Sequence, residues 1–274
     1  MKSKRTVFFL SDRTGITAET LGHSLLTQFD NVEFDQVNVP FIQSEEKAIR
    51  TVEMINRAAR EDGVRPLLFC TLINEDITNI LRESEGLLMD FFGTFIGPLE
   101  QELQMESSHT VGRAHGIASS HNYRARIDAM HYALDNDDGV SIKDYDKADA
   151  ILIGVSRSGK TPTSLYLALQ FGVYTANYPL IQDDLERMRL PDPLEPYRHK
   201  LYGLSIQAER LVQIRAERRP GSRYASLEQC RDEVRSAERL FRHEHVPWLE
   251  TTSRSIEEIA TQILDETGIP RRFY

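Results

Sequence analysis

The run Ile151-Leu152-Ile153-Gly154-Val155-Ser156-Arg157-Ser158-Gly159-Lys160-Thr161 constrains this chain more than any other segment. It sets a complete G-x-x-x-x-G-K-T pattern between an apolar stretch and a helix-compatible one. In such a pattern the glycines let backbone N–H groups close around phosphate oxygens. Lys160 supplies positive charge, and the Thr161 hydroxyl is suited to ligate a magnesium ion. In Ala148-Asp149-Ala150-Ile151-Leu152-Ile153-Gly154 the apolar residues run on without alternation, as in a buried parallel strand. Pro162 falls in the first turn of the following helix, where its missing N–H costs nothing. A plain glycine-rich turn is the competing account, and the strand before with a helix after argues against it. Gly154, Val155, Ser156, Arg157, Ser158, Gly159, Lys160 and Thr161 are therefore the candidate nucleotide-binding residues.

The same strand and helix rhythm extends over the chain. Strand-like 7–10, helix-like 18–28, strand-like 32–39, a helix over 44–60 opened by Ser44-Glu45-Glu46-Lys47, strand-like 66–71 and helix-like 74–82 follow one another. Such βαβα alternation predicts parallel sheets covered by helices. Residues 105–122 are polar and lack either period, so they read as a connection. The expected organisation is α/β: an N-terminal βα domain over 1–105 joined to a P-loop kinase-like domain with a parallel sheet over 106–274. In the second domain a helix over 123–134 presents Ile127, Met130 and Leu134 as one stripe. Strands follow near 173–178 and 201–206, with a helix over 207–218. The chain closes on Val246-Pro247-Trp248-Leu249 and a Ser255-x-x-Glu258 capping box, whose helix places Ile256, Ile259, Ile263 and Leu264 on one face. No internal repeat is evident.

Charge and cysteine content narrow the class. The 33 basic against 42 acidic residues leave a net charge of −9, which disfavours non-specific nucleic-acid binding. No apolar stretch approaches the roughly 20 residues needed to cross a bilayer, and the basic N-terminus runs directly into the strand-like Thr6-Val7-Phe8-Phe9-Leu10 instead of a signal-peptide core. With only Cys70 and Cys230, read as packing residues, a reducing cytoplasmic location is expected.

Several residues outside the loop are chemical candidates. Phosphoryl transfer needs a carboxylate to hold magnesium or accept a proton, and two pairs qualify: Asp183-Asp184 and Asp137-Asp138. Spacing does not choose between them; Asp183, following a predicted strand, is carried as the catalytic candidate beside Lys160 and Thr161. Arg210, Arg215, Arg218, Arg219 and Arg223 concentrate charge suited to a small anion. Residues 214–226, broken at Pro220-Gly221, read as a basic lid in which Arg218 and Arg219 cover developing charge. The alternative is a solvated helix end favoured by its dipole. Ser11 to Thr17 forms a second hydroxyl-rich strand-to-helix turn, suited to hold an anion at the helix N-terminus or a piece of a protein substrate, although capping by Ser, Asp and Thr explains most of it. His115 and His121 read as idle linker residues, and His243-Glu244-His245 lacks a further ligand at zinc spacing.

Together, the loop with Pro162-Thr163-Ser164-Leu165-Tyr166-Leu167-Ala168, Ala176-Asn177-Tyr178-Pro179, Arg223-Tyr224-Ala225-Ser226 and Ser11-Asp12-x-Thr14-Gly15-Ile16-Thr17-Ala18-Glu19-Thr20-Leu21-Gly22 resemble the bacterial phosphoenolpyruvate synthetase regulatory family. The similarity runs from about Val7 to Phe273. The resemblance implies a bifunctional regulator that uses ADP to phosphorylate a threonine of phosphoenolpyruvate synthetase. It implies equally that inorganic phosphate removes that group as pyrophosphate. ADP on residues 154–161, magnesium at Thr161, the synthetase as partner and a homodimer are all family-level expectations. Gly159 and Thr163 resemble the synthetase branch more than the related regulators of pyruvate, phosphate dikinase; Arg13 departs from the small residue usual there. The alternatives are a small-molecule P-loop kinase, which leaves the first hundred residues without a task, and a non-catalytic nucleotide sensor.

Overall fold

The computed structural model describes residues 3–110, 120–139 and 142–272. The chain divides into two compact units, Met1–Ala118 and Ser119–Tyr274. In the first, β1 (Ser3–Leu10), β2 (Val32–Val39), β3 (Leu67–Cys70) and β4 (Leu87–Asp90) form a parallel sheet in the order β2-β1-β3-β4. Helices α1 (Ile16–Leu26), α2 (Glu45–Asp62), α3 (Glu75–Arg82) and α4 (Phe91–Leu103) follow the strands. Successive side chains of β1 face opposite ways, so Phe8 and Leu10 pack with Ile55, Leu68 and Leu81, while Val7 and Phe9 pack with Ala18 and Phe69. A strand buried on both faces reads as a continuous apolar run, which is why 7–10 was legible. Ser44 caps α2 by accepting from the Lys47 N–H, as its sequence predicts.

β4 and α4 carry little local sequence signal of their own. Gly93, Gly97 and Pro98 make 91–103 a poor helix by propensity. The helix is initiated by Asp90, whose carboxylate accepts from the Gly93 N–H at 2.8 Å. The first unit also extends past residue 105, because the Glu100 carboxylate accepts from the Ser107 N–H at 2.6 Å and so ties the following segment back onto α4. The presumed connection thus belongs partly to a folded unit; residues 111–119, with His115, lie outside the described residues, as does the side chain of His121.

The second unit holds α5 (Ser120–Asp135), β5 (Ala150–Gly154), α6 (Lys160–Phe171), β6 (Thr175–Pro179), α7 (Gln182–Arg187), β7 (Leu201–Ser205), α8 (Ala208–Arg218), α9 (Leu227–His243), β8 (Trp248–Glu250) and α10 (Ile256–Thr267). Its strands are parallel in the order β6-β5-β7-β8. Ile151 and Ile153 pack toward Leu211, Val234 and Leu240, while Leu152 packs toward Leu167 and Ile263. In both units the first strand is central, and the next two strands lie on either side of it. The chain leaves its C-terminal end at the point where the strand order reverses, which is where open parallel sheets bind ligands.

Two helix faces differ from expectation. Leu134 is 51% exposed, and α5 turns Ala129, Tyr132 and Ala133 inward instead. Ala129 and Ala133 meet Ala168 of α6, so small side chains let the two helices approach closely. In α10 the Ser255–Glu258 capping box forms, but Ile256 is 38% exposed in the first turn and Ala260 joins Ile259, Ile263 and Leu264 inside. The 17-residue α9 was not read from the sequence. Its buried Cys230, Val234, Ala237, Leu240 and Phe241 are embedded among arginines and glutamates that dilute the apolar period.

Candidate active site

The loop over 154–161 joins β5 to α6 at the point of strand reversal. A Cβ at Gly154 would lie 2.3 Å from the Leu204 carbonyl oxygen of the neighbouring strand, so the sheet itself excludes any side chain there. Arg157 (φ 75°) and Gly159 (φ 94°) occupy the left-handed region, which coils the loop before α6 starts at Lys160. From the far side, Thr251 at the end of β8 donates to the carbonyls of Ser158 and Ser205, at 3.2 and 3.0 Å. Lys160 folds back over the loop, only 3% exposed, and donates to the Val155 carbonyl at 3.0 Å. Burial, partly opposed by Asp138 and Asp137 and reinforced by Arg215 and Arg157, lowers its pKa to about 8.

A cavity of about 300 Å³ opens over this loop, lined by Asp138, Ser156, Arg157, Gly159, Lys160, Thr161, Pro162, Ile214 and Arg218. A larger one, about 770 Å³, lies in the first unit around Phe91, Phe92 and Phe95. In the smaller cavity the Thr161 hydroxyl donates to Asp137 Oδ1 at 2.8 Å. The same oxygen accepts from the side-chain amide of Asn177, whose Oδ1 in turn accepts the Asp138 N–H at 2.9 Å. Asn177 is fully buried in the middle of β6 and so fixes the Asp137 carboxylate and the Asp138 backbone. The structure therefore brings Asp137 and Asp138, not Asp183, to the loop. Asp183 is exposed on α7, outside the residues lining the cavity, and Asp184 accepts from the Ile181 N–H at the start of its own helix.

The five arginines separate into different tasks. Arg218 lines the cavity, whereas Arg219 is the exposed C-cap of α8 and Arg223 lies along a separate groove with Asp232 and Glu233. Arg215, expected among the anion-facing cations, is wholly buried and paired with Glu233 at 2.6 Å. The basic segment 214–226 is built as a helical hairpin: α8, a tight turn at Pro220-Gly221, one 3-10 turn over Arg223–Ala225, and α9 capped by Ser226. Cys70 and Cys230 are both buried, and burial raises the pKa of each. Among the described residues there is no group of three or more His, Cys, Asp or Glu able to hold a metal, and no helix long and apolar enough to cross a membrane.

Loop, buried lysine, paired hydroxyl and carboxylate, and a cavity arginine are suited to hold a polyphosphate and neutralise charge moving between its phosphorus atoms. The sheet and this site place the chain in a class of phosphate-handling α/β enzymes, and the model of the kinase/pyrophosphorylase family matches residues 7–264. The chain belongs to that family. It is similar to a protein of Pseudomonas aeruginosa, 55% identical over 273 residues with the whole of both chains covered. A protein of Alcanivorax borkumensis is 55% identical over 98% of this chain and 99% of its own length, and one of Alkalilimnicola ehrlichii is 54% identical over 100% and 99%. All three provisionally carry the name phosphoenolpyruvate synthase regulatory protein.

Proposed function

We propose that this chain regulates phosphoenolpyruvate synthase by reversible phosphorylation of a threonine, with ADP as donor in one direction and inorganic phosphate as acceptor in the other. The observation that carries the reading is the meeting of a glycine-bearing strand-to-helix loop with two carboxylates, Asp138 lining its cavity and Asp137 bonded to Thr161 beside it. The full-length similarity to relatives so named supports the choice of target. In the forward direction the threonine oxygen attacks the β-phosphorus of ADP, the bond to AMP breaks, and the hydroxyl proton passes to a carboxylate. Asp138 is suited to that task because it lines the cavity, whereas Asp137 is held by Thr161 and Asn177. In reverse, a phosphate oxygen attacks the phosphothreonine phosphorus, pyrophosphate forms, and the same carboxylate returns the proton to the threonine oxygen. Lys160 and Arg218 stabilise charge on the transferring group in both directions.

Magnesium fits the residues present. The Thr161 hydroxyl and an Asp137 carboxylate oxygen lie 2.8 Å apart, and both are hard oxygen donors of the kind magnesium takes. When bound there it would neutralise phosphate charge, and Thr161 and Asp137 are the residues that would hold it. Incubation of the purified protein with synthase and ADP labelled at its β-phosphate tests the reading. Labelled phosphothreonine on the synthase, released as pyrophosphate on adding phosphate, is expected. Label on a small metabolite, or ADP binding without transfer, overturns it.

A further inference from the structure

The largest fully buried side chain in the described structure is an arginine, and it is aimed at the back of the loop. Arg215 Nη2 donates to the Ser156 carbonyl at 3.1 Å and to Glu233 Oε2 at 2.6 Å, while Nη1 donates to the Tyr224 carbonyl at 3.0 Å. The guanidinium lies 4.1 Å from the centre of the Tyr224 ring, and the Tyr224 hydroxyl is 2.9 Å from the Ser156 hydroxyl. Glu233 is itself steadied by Gln229 at 2.8 Å. Ser156 is thus held at both its carbonyl and its side chain by one folded unit, the hairpin of α8 and α9. That hairpin also carries Arg218 into the cavity.

From this geometry we infer that Arg215 and Tyr224 are positioning residues for the phosphate cradle. The inference rests on the reading of the loop as the phosphate site. A trans peptide points its C=O and the next N–H in opposite directions. Pinning the Ser156 carbonyl toward Arg215 therefore turns the Arg157 N–H the other way, toward the cavity. A loop held this way before ligand arrives does not lose that backbone freedom on binding, so the hairpin sets affinity for phosphate. Because one guanidinium joins α8, the 3-10 turn, α9 and the loop, the hairpin and the cradle behave as one rigid part. This assigns to Arg215 a task opposite to the solvent-facing one its arginine-rich neighbourhood implies.

Tyr224→Phe keeps the ring under the guanidinium and removes only the hydroxyl bond to Ser156. Arg215→Lys keeps a charge for Glu233 but loses the planar fork. Calorimetric binding of ADP and of inorganic phosphate, with kcat and KM for transfer, should show affinity weakened roughly five- to tenfold in Tyr224→Phe. In that variant kcat should be nearly unchanged, and Arg215→Lys should lose more. Arg210→Ala, on the exposed side of α8, is the unaffected control. Ser156→Ala combined with Tyr224→Phe should weaken binding no further than either alone, because both delete the same bond. Unchanged phosphate and ADP affinity in folded Tyr224→Phe and Arg215→Lys proteins overturns the inference, as does full additivity in the double variant. Wild-type protein that binds phosphate but never phosphorylates the synthase sinks the functional reading alone.

Discussion

Replacing Lys160 with methionine is expected to stabilise the ligand-free protein while abolishing transfer. Lys160 is buried, and its pKa falls from 10.5 to about 8, chiefly through burial. At about 1.4 kcal/mol per pH unit, that gap means folding penalises the ammonium by roughly 3 kcal/mol at neutral pH. Methionine retains an unbranched apolar stem and carries no charge. It forfeits the bond to the Val155 carbonyl, worth about 1 kcal/mol, leaving a net gain on the order of 1–2 kcal/mol. Trp248 is the sole tryptophan and lies on β8 of the second unit, so its fluorescence during urea unfolding reports the relevant unit. The folded-state pKa lies below the unfolded one, so the unfolded chain holds the extra proton between about pH 8 and 10.5. Wild-type stability therefore rises through that window relative to Lys160→Met, and the difference seen at pH 7 closes. ADP, an anionic partner for the ammonium, should stabilise wild type more than the variant. A Lys160→Met protein less stable than wild type at pH 7, or a difference independent of pH, refutes the claim that burial strains this lysine.

Further outcomes follow from the same geometry. Arg218→Ala should slow transfer more than it weakens ADP binding, while Arg219→Ala should match wild type in single-turnover assays, because only Arg218 lines the cavity. Equal behaviour of the two would return the hairpin to a solvated-end reading. Gly159→Ala should impair phosphorylation and phosphate-dependent release of pyrophosphate together. A Cβ there meets nothing within 4 Å, so the cause is the left-handed φ of 94°, at about 1–2 kcal/mol, and not crowding of the cradle. Loss of one direction only, with Thr14→Ala removing the other, would mean two separate anion sites. Asn177→Leu removes the partner of both Asp137 and the Asp138 N–H, and should lower stability by about 1–3 kcal/mol and transfer rate with ADP binding retained. Normal turnover in that variant would show that the aspartates need no ordering.

The parts of the fold legible beforehand were those written in consecutive residues. The runs 7–10 and 150–154 are apolar without alternation because both sheet faces are covered. Ser44 and Ser255 announced helix starts because a cap acts on an N–H three residues along. The loop was legible for the same reason: its glycines, lysine and hydroxyl fall within eight adjoining positions. Where propensity ran against the outcome, as in the glycine- and proline-bearing α4, the local signal failed. It failed again in α9, where the buried stripe includes small or sulfur-bearing residues among charges. The identical order of the two sheets left no trace in residue identity, since strand order is a property of which strands pair and not of their composition.

The sequence by itself determined the glycine, lysine and hydroxyl pattern of residues 154–161, the parallel α/β class and the absence of surplus positive charge. Tertiary structure alone decided which carboxylate and which arginine join that chemistry. Asp137 reaches Thr161 across 24 positions and Asn177 across 40, while Arg215 reaches the Ser156 carbonyl across 59. Asp183 and Asp137 are equivalent as side chains; they differ in that β6 carries at its middle a buried amide that orders one and not the other. Arg215 and Arg218 are likewise equivalent in sequence, three residues apart on one helix. About 300° of helical rotation and the packing of α9 send one into the interior beside Glu233 and leave the other over the cavity. Residue type specifies what a group can do, and the sheet and its helices specify what it meets.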